Sequence, residues 1–511
     1  MHGMSLRVAF LAAECEPWAK TGGLADVVDA LARALAHVPP GAVETPVDVF
    51  IPRYRTVPVP ERVAGSSVVR VPDPRAPAGV SDVTVIDVEA DGYRLRLIDH
   101  PAAFDREGFY GDAAGDYADN AWRFGMFGRA ALEALRADGR PIDVLHLHDW
   151  HTGPAAIFRD ARYADDPIVG QAAILMTLHN LAYHGWTSRA RLGQIGLRPG
   201  DGIVPTDAVG IDLLLAGIER AELVNTVSPG FAVEALTPAF GMGLDGALRA
   251  KGDRFTGILN GLDTTVWDPS TDADIAATYG RGELGGKAAC RADLLERIGF
   301  DPADPRPVMG LIGRLDPQKG FDLVAGAAPV LLARGARIVV LGSGHPELAD
   351  PFRALAAAHP DRVALLERFD RVMARRIYAG SDLFLMPSRF EPCGQGQMIA
   401  LRYGTPPIVH RTGGLADTVV DQFLHPAAGT GFVFEHPTVD GLLWACEQAI
   451  RTHQAGGRTW AGLLDRGMAV DFDWVTGSAP RYVEAYGRAV AIRREAGAMS
   501  RAGGLASRSR A

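Results

Sequence analysis

Short aliphatic runs alternate with longer amphipathic stretches along most of the chain. In the first half the runs fall at residues 6–13, 47–51, 144–147, Ala173–Leu178 and 223–227. In the second half they fall at Val308–Ile312, Arg337–Leu341, Val363–Leu366, Leu383–Met386 and Pro407–His410. Short runs of consecutive apolar residues are the pattern of parallel strands covered on both faces. Between them, residues 26–36, 118–135 and 321–332 carry apolar positions at helical spacing. This strand–helix–strand rhythm occurs twice, which predicts an α/β protein built from two Rossmann-like, doubly wound sheets. The turn dipeptide Asn260-Gly261 marks the segment 252–269 as the crossing between them. The predicted organisation is one domain over 1–255 and a second over 256–474. A helix over 475–496 packs back on the first, and a disordered tail rich in Gly, Ser, Arg and Ala covers 497–511.

Composition narrows the class. A chain of 511 residues exceeds what a single core usually supports. With 47% hydrophobic and 22% charged residues it has the make-up of an ordinary soluble globular protein. A net charge of −9 argues against a nucleic-acid groove or an anionic membrane surface as the main partner. Apolar stretches are broken by charge or glycine well before the length of a membrane span. The first strand runs directly into Glu14 and Glu16, unlike a signal peptide. Cys15, Cys290, Cys393 and Cys446 lie far apart, with neither metal nor disulfide spacing. A reduced, cytoplasmic protein is the expectation.

The candidate chemistry sits in the loops. Thr-Gly-Gly-Leu-Ala-Asp occurs at 21–26 after Lys20 and again at 412–417 after Arg411. Paired glycines before a helix start allow close backbone approach and offer free N–H groups to phosphate or sugar oxygens. Gly313–Gly320 follows a strand, and Arg314 and Lys319 could reach one diphosphate across its turn. Ser388–Gly394 also follows a strand and holds Glu391, a carboxylate able to bind sugar hydroxyls or stabilise a developing positive charge. Cys393 reads as a small buried residue rather than a nucleophile. His179 ends a strand, where it is either a structural histidine or a donor to a reacting sugar. His146-Leu147-His148-Asp149-Trp150-His151 has the residue types of a metal site. No further carboxylate or cysteine cluster completes one, and Asp149 with Trp150 fits carbohydrate better. Gly342-Ser343-Gly344 is a weak phosphate-loop pattern.

Taken in order, Lys20–Val27, His148–His151, Thr177–Tyr183, Val227-Ser228-Pro229, Asn260–Asp263, Arg314 with Lys319-Gly320, Ser388–Gly394 and 412–419 resemble the motif series of bacterial glycogen synthases and plant starch synthases. The resemblance covers residues 6 to 490, about the whole predicted two-domain region. It implies a GT-B glycosyltransferase with two Rossmann-like domains facing an interdomain cleft. The implied reaction is metal-independent, configuration-retaining transfer of glucose from ADP-glucose, a co-substrate, to the 4-hydroxyl at the non-reducing end of an α-1,4-glucan. No cofactor, nucleic acid or membrane is implied.

By the same resemblance, Lys20, Gly22 and Gly23 face the donor, and Arg314 and Lys319 neutralise the departing ADP. Glu391 holds glucose hydroxyls and shapes the transition state. His179, Asp149 and Asn260 line the sugar site, while Glu14 and Asp26 support the acceptor side and the loop. Cys393 and Gly394 are substrate-binding, Thr412 and Gly413 support nucleotide and phosphate, and Phe369 stands where an adenine-stacking aromatic, commonly Tyr, is expected. The chain departs from the family at Gln395-Gly396-Gln397, at Leu215, where a lysine is usual, and over 200–209. A UDP-glucose enzyme, a transferase with another acceptor, and a non-catalytic glucan-binding relative are the alternatives. Retention of Lys20, Arg314, Lys319 and Glu391 weighs against the last.

Overall fold

The computed structural model describes residues 5–59, 63–197, 201 and 210–508. Its contacts divide the chain into two units. The first comprises the described residues up to Val227, then Ala232–Gly261, then those from Trp474 onward. The second comprises Ser228–Phe231 and Leu262–Asp473.

The first unit is built on a nine-stranded sheet. In chain order its strands are β1 (Val8–Leu11), β2 (Val47–Pro52), β3 (Gly65–Pro72), β4 (Val80–Glu89), β5 (Tyr93–Asp99), β6 (Val144–His148), β7 (Ala173–Leu178), β8 (Leu223–Thr226) and β9 (Phe255–Gly257). Their order across the sheet is β9-β8-β7-β6-β1-β2-β5-β4-β3. Pairing is parallel from β9 to β5 and antiparallel in the β5-β4-β3 edge. The strand order reverses between β1 and β6, and the loops that leave the carboxyl ends there carry Glu14 to Gly22 and Asp149. Such a switch point is where open α/β sheets bind ligands.

The second unit has a six-stranded, all-parallel sheet. Its strands are β10 (Val308–Ile312), β11 (Arg337–Leu341), β12 (Val363–Leu366), β13 (Leu383–Met386), β14 (Pro407–His410) and β15 (Phe432–Phe434). They lie in the order β12-β11-β10-β13-β14-β15. Met309, Leu311, Ile338, Val340, Leu383 and Leu385 point to one face, where Val324, Leu331 and Leu442 cover them. Val308, Val339 and Leu341 point to the other, against Leu294, Leu295 and Ile377. Alternate residues thus feed two cores, which explains the unbroken apolar runs. Here the order reverses between β10 and β13, the strands that lead into Arg314–Lys319 and Ser388–Gly394.

The domain borders differ from expectation. The first unit extends past 255 because β9 pairs in parallel with β8, Val224 opposite Phe255, and Asn260 N–H donates to Val227 O. Residues 228–231 join the second unit: Ser228 Oγ donates to Pro392 O and Gly230 N–H to Asp417. The last helix runs Ala479–Arg508, past the expected end at 496. Only 509–511 of the expected disordered tail lie outside the described residues. The helix packs on the first unit's sheet, where Tyr486 and Tyr482 are fully buried. No described helix is long and apolar enough to cross a membrane.

Candidate functional site

In the second unit two loops are locked together at the switch point. Asp316 Oδ1 accepts from Gln318 N–H at 2.8 Å and closes the turn that presents Lys319. Arg389 N–H donates to Gln318 O at 2.8 Å, and Gln318 Nε2 returns a bond to Phe390 O at 3.0 Å. Arg389 adds an ion pair to Asp322 at 2.6 Å. The outcome is an ion pair of Lys319 Nζ with Glu391 Oε2 at 2.6 Å. Glu391 Oε2 also accepts from Ser388 Oγ at 2.9 Å, and His410 Nδ1 bonds Ser388 O at 2.9 Å. The carboxylate is nearly buried, whereas Lys319 is about a quarter exposed and Arg314 lies on the surface.

The second Thr-Gly-Gly copy completes this loop from beneath. Gly414 N–H donates to Glu391 O at 3.0 Å. A Cβ at Gly413, whose φ is +43°, would lie 2.1 Å from Glu391 O, and one at Gly414 would lie 2.1 Å from Cys393 O. The first copy differs: nothing lies within 4 Å of a Cβ at Gly22 or Gly23. Glycine at 413 and 414 is demanded by protein backbone, while glycine at 22 and 23 leaves open space. Cys393 is a buried thiol whose carbonyl takes Gln397 Nε2 at 3.1 Å. The same amide bonds Gly394 O and Thr418 Oγ1, so the unusual Gln397 is a packing brace for the Glu391 loop. Phe369, in the turn after β12, is 83% exposed. Gly342 and Gly344 serve backbone packing, since a Cβ on either would meet Gly313 O or Leu315 O.

In the first unit Glu14 is buried and fixes the Lys20–Gly22 loop. Its carboxylate accepts from Thr21 N–H at 2.5 Å, Thr21 Oγ1 at 2.6 Å, Gly22 N–H at 3.1 Å and Tyr110 OH at 2.5 Å. Gly22 stands at the start of the Gly23–Leu35 helix, which no side chain caps. Lys20 pairs with Asp26 at 2.5 Å and with Glu16 at 3.4 Å. Asp149, at φ 55°, accepts from His179 N–H at 2.7 Å, and burial pushes its pKa up to about 7. Its carboxylate holds the His179–Asn180 turn. Asn260 is buried, and its Oδ1 has no partner among the described residues.

A histidine chain lies beneath this turn. Thr177 Oγ1 donates to Asn225 Oδ1 at 2.8 Å, so His146 Nε2–H donates to Thr177 and Tyr486 OH donates to His146 Nδ1. His148 Nδ1 meets His179 Nε2 at 3.0 Å, which leaves Nδ1 of His179 outside that contact. Burial holds His146 and His148 well below the usual imidazole range and lowers His151 and His179 to about 3. The expected sugar-stacking role of Trp150 is not what the structure shows. Its ring is buried, stacked on His151 at 4.1 Å with Phe124 at its edge, and Gly185 closes over it. Among the described residues no group of three or more His, Cys, Asp or Glu side chains is placed to hold a metal ion.

These buried groups fix a pH response. A histidine held neutral stabilises the fold fully above its unfolded value, and that stabilisation is lost as pH falls through its folded value near 3. His151 and His179 each lose about 2 kcal/mol between pH 6.5 and 5. Asp149 acts oppositely: its raised pKa makes the fold more stable as pH falls from about 7 toward 4. His146 and His148 add to the histidine side, so denaturant unfolding at pH 7 and pH 5 should show the first unit weakened at pH 5. Equal stability at both values would contradict the neutral-histidine assignment.

Comparison with known proteins places this arrangement. The family described as Starch synthase catalytic domain matches residues 7–250, and Glycosyl transferases group 1 matches 306–452. A glycogen synthase of Anaeromyxobacter dehalogenans is 42% identical over 94% of this chain and 99% of its own. The chain belongs to the glycogen and starch synthase family. It is a GT-B glycosyltransferase. A glycogen synthase of Syntrophotalea carbinolica is 38% identical over 95% of this chain and 99% of its own. The catalytic domain of Arabidopsis thaliana Starch Synthase IV, solved with ADP and acarbose, superposes with a TM-score of 0.85 at 34% identity, covering 95% of this chain and all of that one.

Within this glycosyltransferase, the structure brings together Lys319 with Glu391, Lys20 with Asp26, and Asp149 with His179. It also brings Thr412–Gly414 under the Glu391 loop. Ser388, Gln318, Gln397 and His148 support those residues, and Tyr110 supports Glu14; the sequence alone does not mark them as supports. Their partners lie up to 96 positions away in the sequence, and no local pattern announces such pairs. Leu215 donates its backbone N–H to the capping carboxylate of Asp212, a role independent of its side chain. Of the unusual 200–209 segment, only residue 201 lies within the described residues.

Proposed function

We propose that the chain is an ADP-glucose-dependent glycogen synthase. It transfers glucose with retention of configuration to the non-reducing 4-hydroxyl of an α-1,4-glucan and releases ADP. The observation that carries this reading is the Lys319–Glu391 pair at the switch point of the second unit's sheet. A buried carboxylate beside a part-exposed ammonium is suited to a reaction that develops positive charge on a sugar and negative charge on a diphosphate. Lys319, joined by Arg314, takes the diphosphate charge without a metal. Glu391, steadied by Ser388, then faces the glucosyl group, and Cys393, Gly394, Thr412 and Gly413 shape the wall behind it. Phe369 offers an exposed ring for adenine.

In the first unit, Lys20 with Gly22 and Gly23 forms a donor-binding loop with open space at those glycines. Glu14 and Asp26 hold that loop. His179, oriented by Asp149 and His148, donates to the glucosyl unit, and Asn260 adds a buried acceptor. The scattered, buried thiols suit a reducing cytoplasm.

The test is purified protein with glycogen and either ADP-glucose or UDP-glucose in excess EDTA. The expected result is glucose incorporation from ADP-glucose, at least tenfold faster than from UDP-glucose on the order of one well-made contact. Preference for UDP-glucose would reverse the donor assignment, and loss of activity in EDTA would overturn metal-free transfer.

A further inference from the structure

Beyond the His179 turn, the first unit carries an exposed aromatic surface. Tyr183 and Trp186 are 60% and 56% exposed, and Met242 is 38% exposed. Trp186 and Met242 both meet one fixed imidazole, that of His184, and Tyr183 is its neighbour in the chain. Asp212, almost fully buried, uses Oδ1 to accept Leu215 N–H at 2.8 Å as the cap of the Leu213–Arg220 helix. Its Oδ2 binds His184 Nδ1. Backbone hydrogen bonds with Leu181 and Met242 also hold the ring, and Leu214 N–H donates to His184 O at 3.0 Å. The Trp186 indole then stacks parallel on His184, with centroids 5.5 Å apart and planes at 10°.

One face of the indole is therefore used to orient it. Met242 holds a left-handed backbone, φ 50°, uncommon for a residue of its size, and it does so at this same imidazole. A helix cap thus positions a histidine, and the histidine positions an exposed tryptophan.

We propose that Trp186, flanked by Tyr183 and Met242, is a stacking platform for the α-glucan acceptor chain. The proposal rests on the glucan-acceptor reading above and names the surface that holds the chain. An indole presents a flat apolar face to the C–H groups of a pyranose ring, and the Tyr183 hydroxyl can serve the sugar's rim. The surface continues directly from the His179–Asn180 turn, where Asn180 Oδ1 accepts Ala182 N–H at 2.9 Å. Three side chains are far too few for a stable protein interface, which needs about 800 Å² per partner. A sugar chain is the occupant that matches this size and chemistry.

The test compares the wild-type full chain with Trp186→Ala and Trp186→Phe, using maltoheptaose as acceptor and as a ligand in calorimetry without donor. Trp186→Ala is expected to weaken maltoheptaose binding and raise its KM about tenfold, with Trp186→Phe losing about threefold. The KM for ADP-glucose, ADP affinity and melting temperature should stay at wild-type values. Wild-type maltoheptaose binding and KM in Trp186→Ala would overturn the platform while leaving the enzyme assignment standing. A lowered kcat with unchanged acceptor KM would make Trp186 structural and also overturn it. A wild-type chain that neither binds nor extends glucan would instead sink the functional reading itself.

Discussion

Glu391→Ala is expected to lower kcat by about 10²- to 10³-fold while ADP binds at least as well as to the wild-type protein. Glu391 Oε2 accepts from both Lys319 and Ser388. Removing the carboxylate frees the Lys319 ammonium for the diphosphate, so ADP affinity holds or rises as turnover collapses. Lys319→Ala has the contrary signature. On the proposed reading it removes a cation from the diphosphate, and it leaves a nearly buried carboxylate without its counter-charge, which is strongly unfavourable. ADP affinity should fall about tenfold or more, together with thermal stability. Calorimetric ADP titration beside steady-state kinetics separates the two. An equal loss of ADP affinity and kcat in Glu391→Ala would reduce Glu391 to a binding residue. Unchanged ADP affinity in Lys319→Ala would remove that residue from the phosphate site.

The second large effect distinguishes the two Thr-Gly-Gly copies. Gly413→Ala places a methyl 2.1 Å from Glu391 O at a φ of +43°, so both packing and backbone oppose it. A cost of about 3 kcal/mol or more is expected, with Glu391 displaced and activity lost. Gly22→Ala meets no atom within 4 Å, and its φ of −152° is ordinary extended backbone. Its stability should lie within about 0.5 kcal/mol of wild type, with the loss confined to kcat/KM on the proposed reading, which gives that open space to the donor. Melting curves and kinetics of the two variants decide this. A destabilised Gly22→Ala, or a Gly413→Ala as stable as wild type, would erase the distinction.

That contrast also measures what the chain discloses before folding. Two identical hexapeptides suggest equivalent ligand turns, yet the packing gives them different duties. One is closed against the backbone of residues 391–393 and the other is open. The parallel strands were legible because they are buried on both faces, as the unbroken runs at 308–312 and 383–386 show. The β3–β4 hairpin was not legible. Its first strand is half exposed, with a mixed pattern, and sits at the sheet edge. Glu391 and Lys319 could be placed at strand ends from sequence, but their 2.6 Å pairing spans 72 positions. Ser228 reaching Pro392 O spans 164 positions, which is why the second unit captures residues 228–231. Trp150 shows the reverse error. A ring beside a carboxylate looked like a sugar platform, and burial against His151 and Phe124 assigns it to the core. Trp186, by contrast, is exposed.

The most direct measurement follows ADP release and glucose incorporation together when the wild-type chain acts on ADP-glucose and glycogen. One ADP for each glucose joined by a new α-1,4 linkage at the non-reducing end is the predicted result. ADP released without incorporation, a β-linkage, or no transfer at all by a folded protein would contradict the account.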